Sequence, residues 1–261
     1  MGVITILHRH ARTTDGLRTL LAFATTLLLG CGGGPGEPPP PPPGAIPAGQ
    51  SIGSAVIAGR VSYRGTPPPR RPVKMSEAAC RHDGEGTLSE DLIAHPDGGL
   101  RNAYLHVISG LGDRVFAPPA QPAEMDQAGC IFVPHLLAVQ TNQVILFKNS
   151  DPAVHNVRAL AERNRTFNIS MSGKGRSARR FFSQPEIVRV RCDIHAWMQA
   201  TIAVDSHPFQ AVTGEDGSFA LQGLPPGTYE VEAWHEKLGS SRQTITLAEG
   251  ERREVEFVFG E

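Results

Sequence analysis

Residues 187–204 read Ile187-Val188-Arg189-Val190-Arg191-Cys192-Asp193-Ile194-His195-Ala196-Trp197-Met198-Gln199-Ala200-Thr201-Ile202-Ala203-Val204. Val188 to Arg191 alternate apolar and basic side chains, the period-two pattern of a half-exposed strand. Thr201 to Val204 reads as the start of the next strand. Between them Cys192, His195 and Met198 stand at Cys-x2-His-x2-Met on what must be a tight loop. A thiol, an imidazole and a thioether offered from one loop at a sheet end predict an all-β protein with a metal centre mounted on it.

A fourth donor lies upstream. Val144-Ile145-Leu146-Phe147 reads as a strand and leads into Lys148-Asn149-Ser150-Asp151-Pro152-Ala153-Val154-His155-Asn156-Val157. One thiolate, two imidazoles and one thioether are the donors of a blue-copper site. Zinc is the rival for Cys and His, but zinc sites seldom recruit a thioether.

The two motifs together resemble the cupredoxin family, and within it the amicyanins, which combine a His-Asn-Val segment with the short Cys-x2-His-x2-Met loop. The resemblance covers residues 120–206, roughly. It implies one type 1 copper held by His155, Cys192, His195 and Met198, with Asn156 tying the two ligand segments together by hydrogen bonds. It also implies one-electron transfer rather than catalysis, with electrons leaving through the edge of His195. Trp197 is then either part of an apolar contact patch or a core residue. The chain departs from the amicyanin pattern at Asp193-Ile194 and in a longer Arg-rich stretch before Cys192.

That stretch holds nine basic and two acidic residues between Asn156 and Arg191, a net of +7. Arg176, Arg179 and Arg180 are the expected docking residues for an acidic redox partner, a cytochrome or an oxidase. The plainer reading is a solvated strand face.

On the C-terminal side, Asp216-Gly217 and Pro225-Pro226-Gly227 are turn chemistry between alternating segments: Phe219–Leu221, Tyr229–Ala233, Gln243–Leu247 and Arg253–Phe259. This resembles the carboxypeptidase regulatory-like, or transthyretin-like, β-sandwich, a non-catalytic family. Residues 207–261 are short for a whole sandwich. Ala55–Tyr63 and Leu100–Val107 read as its missing strands. The expected architecture is therefore a sandwich of 52–112 plus 207–261 with the cupredoxin, 113–206, inserted. The alternative gives 52–112 to the cupredoxin.

Composition bounds the rest. The chain has 261 residues, 28 Gly and 22 Pro, and a formal net charge of −1. That balance disfavours a nucleic-acid binder, and so much Gly and Pro suits strands joined by turns. Arg9, Arg12 and Arg18 precede an apolar run, Thr19 to Leu29, which ends in Leu28-Leu29-Gly30-Cys31. This has the form of a signal peptide over residues 1–30, and its end resembles the bacterial lipobox, which implies a lipid on Cys31. Residues 31–51, with Pro38 to Pro43, read as a stiff tether. The expected location is the periplasmic side or the cell surface, on the outer membrane. The combination resembles methylamine utilisation-type lipoproteins. Export permits a disulfide, with Cys80 and Cys130 the candidates. Two other readings stay open: a periplasmic copper carrier or store, and a metal-free carbohydrate- or protein-binding β module. His135, His207 and His235 lack ligand spacing with one another, and there is no nucleophile triad, paired-carboxylate motif or phosphate loop.

Overall fold

A computed structural model describes residues 37–80 and 86–260. The expected signal peptide and the lipidation site Cys31 lie outside the described residues. Two strands come first, β1 (Ala55–Arg64) and β2 (Tyr104–Ser109). Then follow β3 (Ala123–Ala128), β4 (Ile131–Val133), β5 (Leu136–Gln140), β6 (Ile145–Asn149) and β7 (Val154–Leu160). Next are β8 (Phe167–Ser172), β9 (Arg176–Arg180), β10 (Glu186–Arg191) and β11 (Gln199–Asp205). The chain closes with β12 (Gln210–Val212), β13 (Ser218–Leu224), β14 (Gly227–His235), β15 (Gly239–Leu247) and β16 (Arg252–Gly260).

These strands build two β-sandwiches. The first has sheets ordered β13-β1-β16 and β12-β2-β14-β15. Its core gathers Ile57, Val61, Phe219, Leu221 and Phe257 from one sheet and Leu105, Val107, Val231, Ala233 and Ile245 from the other. The alternation that makes this possible is plain in β14, where Tyr229, Val231, Ala233 and His235 are buried and the residues between them are half-buried. β1 runs parallel to β16 and antiparallel to β13. At Gly59 the two backbones come so close that a Cβ would sit 1.7 Å from the Val255 carbonyl oxygen.

The second sandwich has sheets ordered β5-β11-β10-β7-β8 and β4-β3-β6-β9. Met125, Ile145 and Phe147 on one sheet meet Val157, Val188, Val190 and Ile202 on the other. Burying a side chain such as Phe147 contributes about 1.5–3 kcal/mol. In β10, Val188 and Val190 point into this core while Arg189 and Arg191 face solvent. The turn from β6 into β7 and the loop from β10 to β11 emerge at the same end, and that end carries the donor residues.

The two cores do not divide at residue 113. Phe116 packs in the first sandwich, edge-on to Phe209. Cys80, from the long connection between β1 and β2, packs in the second. The tether also ends before residue 51: Pro38 to Pro43 are mostly exposed, but Ile46 bridges to Phe116 and packs on the first core.

Candidate metal centre

His155 is the second residue of β7, Cys192 follows the last residue of β10, and His195 and Met198 sit on the loop before β11. β10 pairs with both β7 and β11, so one hydrogen-bonded ladder holds all four. The loop is closed by its own backbone: Cys192 N donates to Met198 O at 3.0 Å and Met198 N to His195 O at 2.9 Å. His155, Cys192, His195 and Met198 are all buried.

The donors converge. The Nδ1 atoms of His155 and His195 are 2.9 Å apart, and Cys192 Sγ is 3.8 Å from His195 Nδ1. Three groups of side chains bring possible ligand atoms together: His155–Cys192–His195, Glu77–Cys80–His195 and Cys130–Asp151–His155. Cys80 and Cys130 are joined in a disulfide, so neither can serve as a thiolate. Cys192 is the free cysteine among the described residues. The first group is therefore the one with a thiolate to offer.

Each imidazole is backed by a carboxylate. His155 Nε2 donates to Asp151 Oδ2 at 3.0 Å. Asp151 is held in turn by Gly129 N at 2.7 Å and Cys130 N at 2.8 Å. His195 Nε2 donates to Glu77 Oε2 at 2.6 Å. A carboxylate can only accept, so each ring carries its proton on Nε2 and turns the Nδ1 lone pair inward. Burial pushes the His155 imidazole down, against the upward pull of Asp151, and the net direction is down. That keeps the ring neutral. Two lone pairs face each other across 2.9 Å beside a thiol sulfur. They repel unless a cation or a shared proton lies between them. Two imidazole nitrogens beside a free cysteine sulfur suit copper or zinc, and Met198, on the same loop, is buried in the same core.

Asn156 links the two donor-bearing segments. Its backbone N lies 3.5 Å from Cys192 Sγ, and its Oδ1 accepts from Asp193 N at 2.7 Å. Asp193 also meets Arg158, Asn168 and Arg191. Partial burial raises its carboxyl, but Arg158, Asn168 and Arg191 prevail and hold it below the usual range.

The remaining sequence-derived residues are more spread. Trp197 is half-buried; its ring lies 4.9 Å from that of His195 and its Nε1 donates to Cys130 O at 3.0 Å. It also lines a cavity of about 550 Å³ together with His135, Gln199 and Glu236. Arg176, Arg179 and Arg180 run along the edge strand β9. Arg176 pairs with Asn149 at the donor end of β6 and Arg180 with Ile145 at the far end, so only Arg176 stands beside the centre. The edge of His195 does not reach the surface, because the ring is 2% exposed beneath Glu77 and Cys80. His135 pairs with Glu236, His207 with Val107 O and Asp205, and His235 accepts from Lys237 N, all outside the donor cluster.

Asp151 and Glu77 were not singled out from sequence. Asp151 stands four residues before His155 in a turn closed by Asn149 Oδ1, a local signal that was available. Glu77 carries none beyond its place three residues before Cys80.

The family model for the carboxypeptidase regulatory-like domain matches residues 196–260. The match starts ahead of residue 207 and takes in β11, which pairs with β10 and β5 of the second sandwich. No curated protein matches the chain. Among solved structures it is similar to a copper-containing nitrite reductase (NirK) from Thermus scotoductus SA-01, with 21% identity and a TM-score of 0.32, over 40% of this chain and 26% of that one. The chain thus spans about a quarter of that enzyme. A novel purple cupredoxin from Nitrosopumilus maritimus is 18% identical over 32% of this chain and 99% of that one, with a TM-score of 0.28. A mutant amicyanin in the Cu(I) state is 16% identical over 39% of this chain and 98% of that one, with a TM-score of 0.30.

Proposed function

We propose that this protein is a type 1 (blue) copper electron carrier, exported and held to the outer membrane by a lipid on Cys31. The observation that carries the reading is the 2.9 Å approach of the two Nδ1 atoms beside the free Cys192 thiol. His155, Cys192, His195 and Met198 would hold the copper. Bound there, copper supplies a one-electron Cu(II)/Cu(I) couple. The chain's part is to present preset donors. The β7–β10–β11 ladder fixes them, Asn156 N is aimed at the sulfur, and the burial of all four excludes water. Buried donors favour electron transfer over substrate turnover. Trp197, in ring contact with His195 and bordering an open cavity, is the route outward. An acidic redox protein, a cytochrome or oxidase, would dock at the donor end, steered at longer range by the basic edge strand β9, of which Arg176 stands at that end and Arg179 and Arg180 lie farther along.

One observation favours a second reading, a periplasmic copper carrier or store. Glu77 and Cys80 cover the His195 edge, and a covered edge slows contact with a redox partner. Rapid electron exchange with a cytochrome supports the first reading; transfer of copper to an apo-acceptor supports the second.

The deciding experiment loads the full chain with Cu(II) and records its visible spectrum, with Cys192→Ser as control. An intense thiolate-to-copper band, lost in the variant, is expected. A colourless wild type would overturn the copper reading and leave a metal-free binding module.

A further inference from the structure

The connection between β1 and β2 leaves the first sandwich and crosses to the donor end of the second. Its 3₁₀ turn, Ala78–Cys80, begins with Cys80 N donating to Glu77 O at 3.1 Å. From that turn the Glu77 carboxylate reaches His195 Nε2 at 2.6 Å, and Cys80 Sγ lies 3.9 Å from the same nitrogen. Met75, just ahead, packs on the second core. Trp197 lies against the ring of His195. The imidazole is thus boxed: Nδ1 toward His155 and Cys192, Nε2 against Glu77, a face on Trp197.

The arrangement has a counterpart at His155. Asp151 backs that ring and is itself fixed by the backbone N of Cys130. The Cys80–Cys130 disulfide therefore joins the segment that carries Glu77 to the turn whose backbone N–H groups hold Asp151. Asp151 is buried and held by three donors. Glu77 is 42% exposed at its side chain and gains its place from the turn and the disulfide.

We propose that Glu77 is a positioning residue for His195: its carboxylate keeps the ring proton on Nε2, leaves Nδ1 free for the metal and closes the outer edge of the ring, and the Cys80–Cys130 disulfide holds Glu77 there. The proposal rests on the copper reading of the site. Carboxylates placed behind ligating imidazoles fix ring orientation and raise ligand basicity, and their loss costs about 10–100-fold in metal affinity.

The test has a metal-free arm and a copper arm, both on the full chain. In the metal-free arm, ¹⁵N NMR of His195 is compared in wild type, Glu77→Ala, Glu77→Gln and the double variant Cys80→Ser/Cys130→Ser. Wild type is expected to show the Nε2–H tautomer with a slowly exchanging proton. Glu77→Ala loses both features, Glu77→Gln retains the tautomer through its amide oxygen, and the double variant moves toward Glu77→Ala. In the copper arm, competition against a chelator is expected to show Glu77→Ala weaker by about 10–100-fold and Glu77→Gln weakened less. A Glu77→Ala chain with wild-type tautomer and proton exchange overturns the proposal. A double variant indistinguishable from wild type overturns the part given to the disulfide. If the tautomer pattern appears but wild type shows no thiolate–copper band, the copper reading fails while the hold of Glu77 on His195 stands.

Discussion

His155 and His195 face each other nitrogen to nitrogen, Nδ1 to Nδ1 at 2.9 Å, each with a carboxylate behind its other nitrogen. The carboxylates make this pairing a metal-ready one, because they claim both ring protons. A cation between the rings removes the lone-pair repulsion and binds the folded chain, where the donors converge, more tightly than the unfolded one.

Copper binding is therefore expected to raise stability. At a free copper concentration a hundredfold above Kd the gain is about 2.7 kcal/mol. Thermal unfolding with and without copper, in an inert buffer, measures it. The gain should shrink in Cys192→Ser, which removes the sulfur donor.

Asp151 serves three donors at once: Gly129 N, Cys130 N and His155 Nε2. Asp151→Ala strands buried N–H groups, each costing about 1–3 kcal/mol if nothing replaces the bond. A loss of at least about 2 kcal/mol in the metal-free chain is expected from urea unfolding. Asp151→Asn keeps an acceptor oxygen and should lose less.

The donors of the Cys192–Met198 loop and the strands were legible because their signals are local. Cys192, His195 and Met198 sit on one loop, and the alternation of β10 and β14 survives intact into the burial pattern. Glu77 was not legible. It lies 118 residues from His195, and a glutamate behind a buried imidazole is written with the same letter as one on a solvated loop. The module boundaries were only partly legible for a related reason. The connection after β1 contributes Cys80 to one core, while Phe116 beyond β2 contributes to the other. Such crossings depend on tertiary placement, which no periodicity records.

Met198 is fully buried in the second core. Met198→Leu conserves volume, so stability should change by less than about 1.5 kcal/mol. Replacing a thioether by an alkyl group takes an electron-pair donor from bound copper, which weakens the hold on Cu(II) more than on Cu(I) and should raise the reduction potential of the loaded protein. Voltammetry reads this directly. An unchanged potential would assign Met198 to packing alone.

Gly59 lets β1 lie against β16. An alanine Cβ would stand 1.7 Å from the Val255 carbonyl oxygen, and backbone on both sides leaves it nowhere to go. Gly59→Ala should destabilise the first sandwich by about 1–3 kcal/mol, the range for overpacked sites. Denaturant unfolding followed at Trp234, on β14 of that sandwich, would report it.

His235 gives the first sandwich a dependence on acid. The residue is 1% exposed, its Nδ1 accepts from Lys237 N, and its Nε2 has no partner. Burial holds the imidazole down to about 4 from an ordinary 6.5, with the nearby Glu236 pulling the other way. Between those values the unfolded chain binds a proton that the folded chain refuses. Stability therefore rises with pH through this window. The contribution is full above 6.5 and is lost as pH falls toward 4, about 3 kcal/mol in all. His235→Asn keeps an acceptor for Lys237 N and removes the titration. Urea midpoints taken across this pH range should fall steeply for wild type and less steeply for the variant. Equal slopes would move the acid sensitivity to another group.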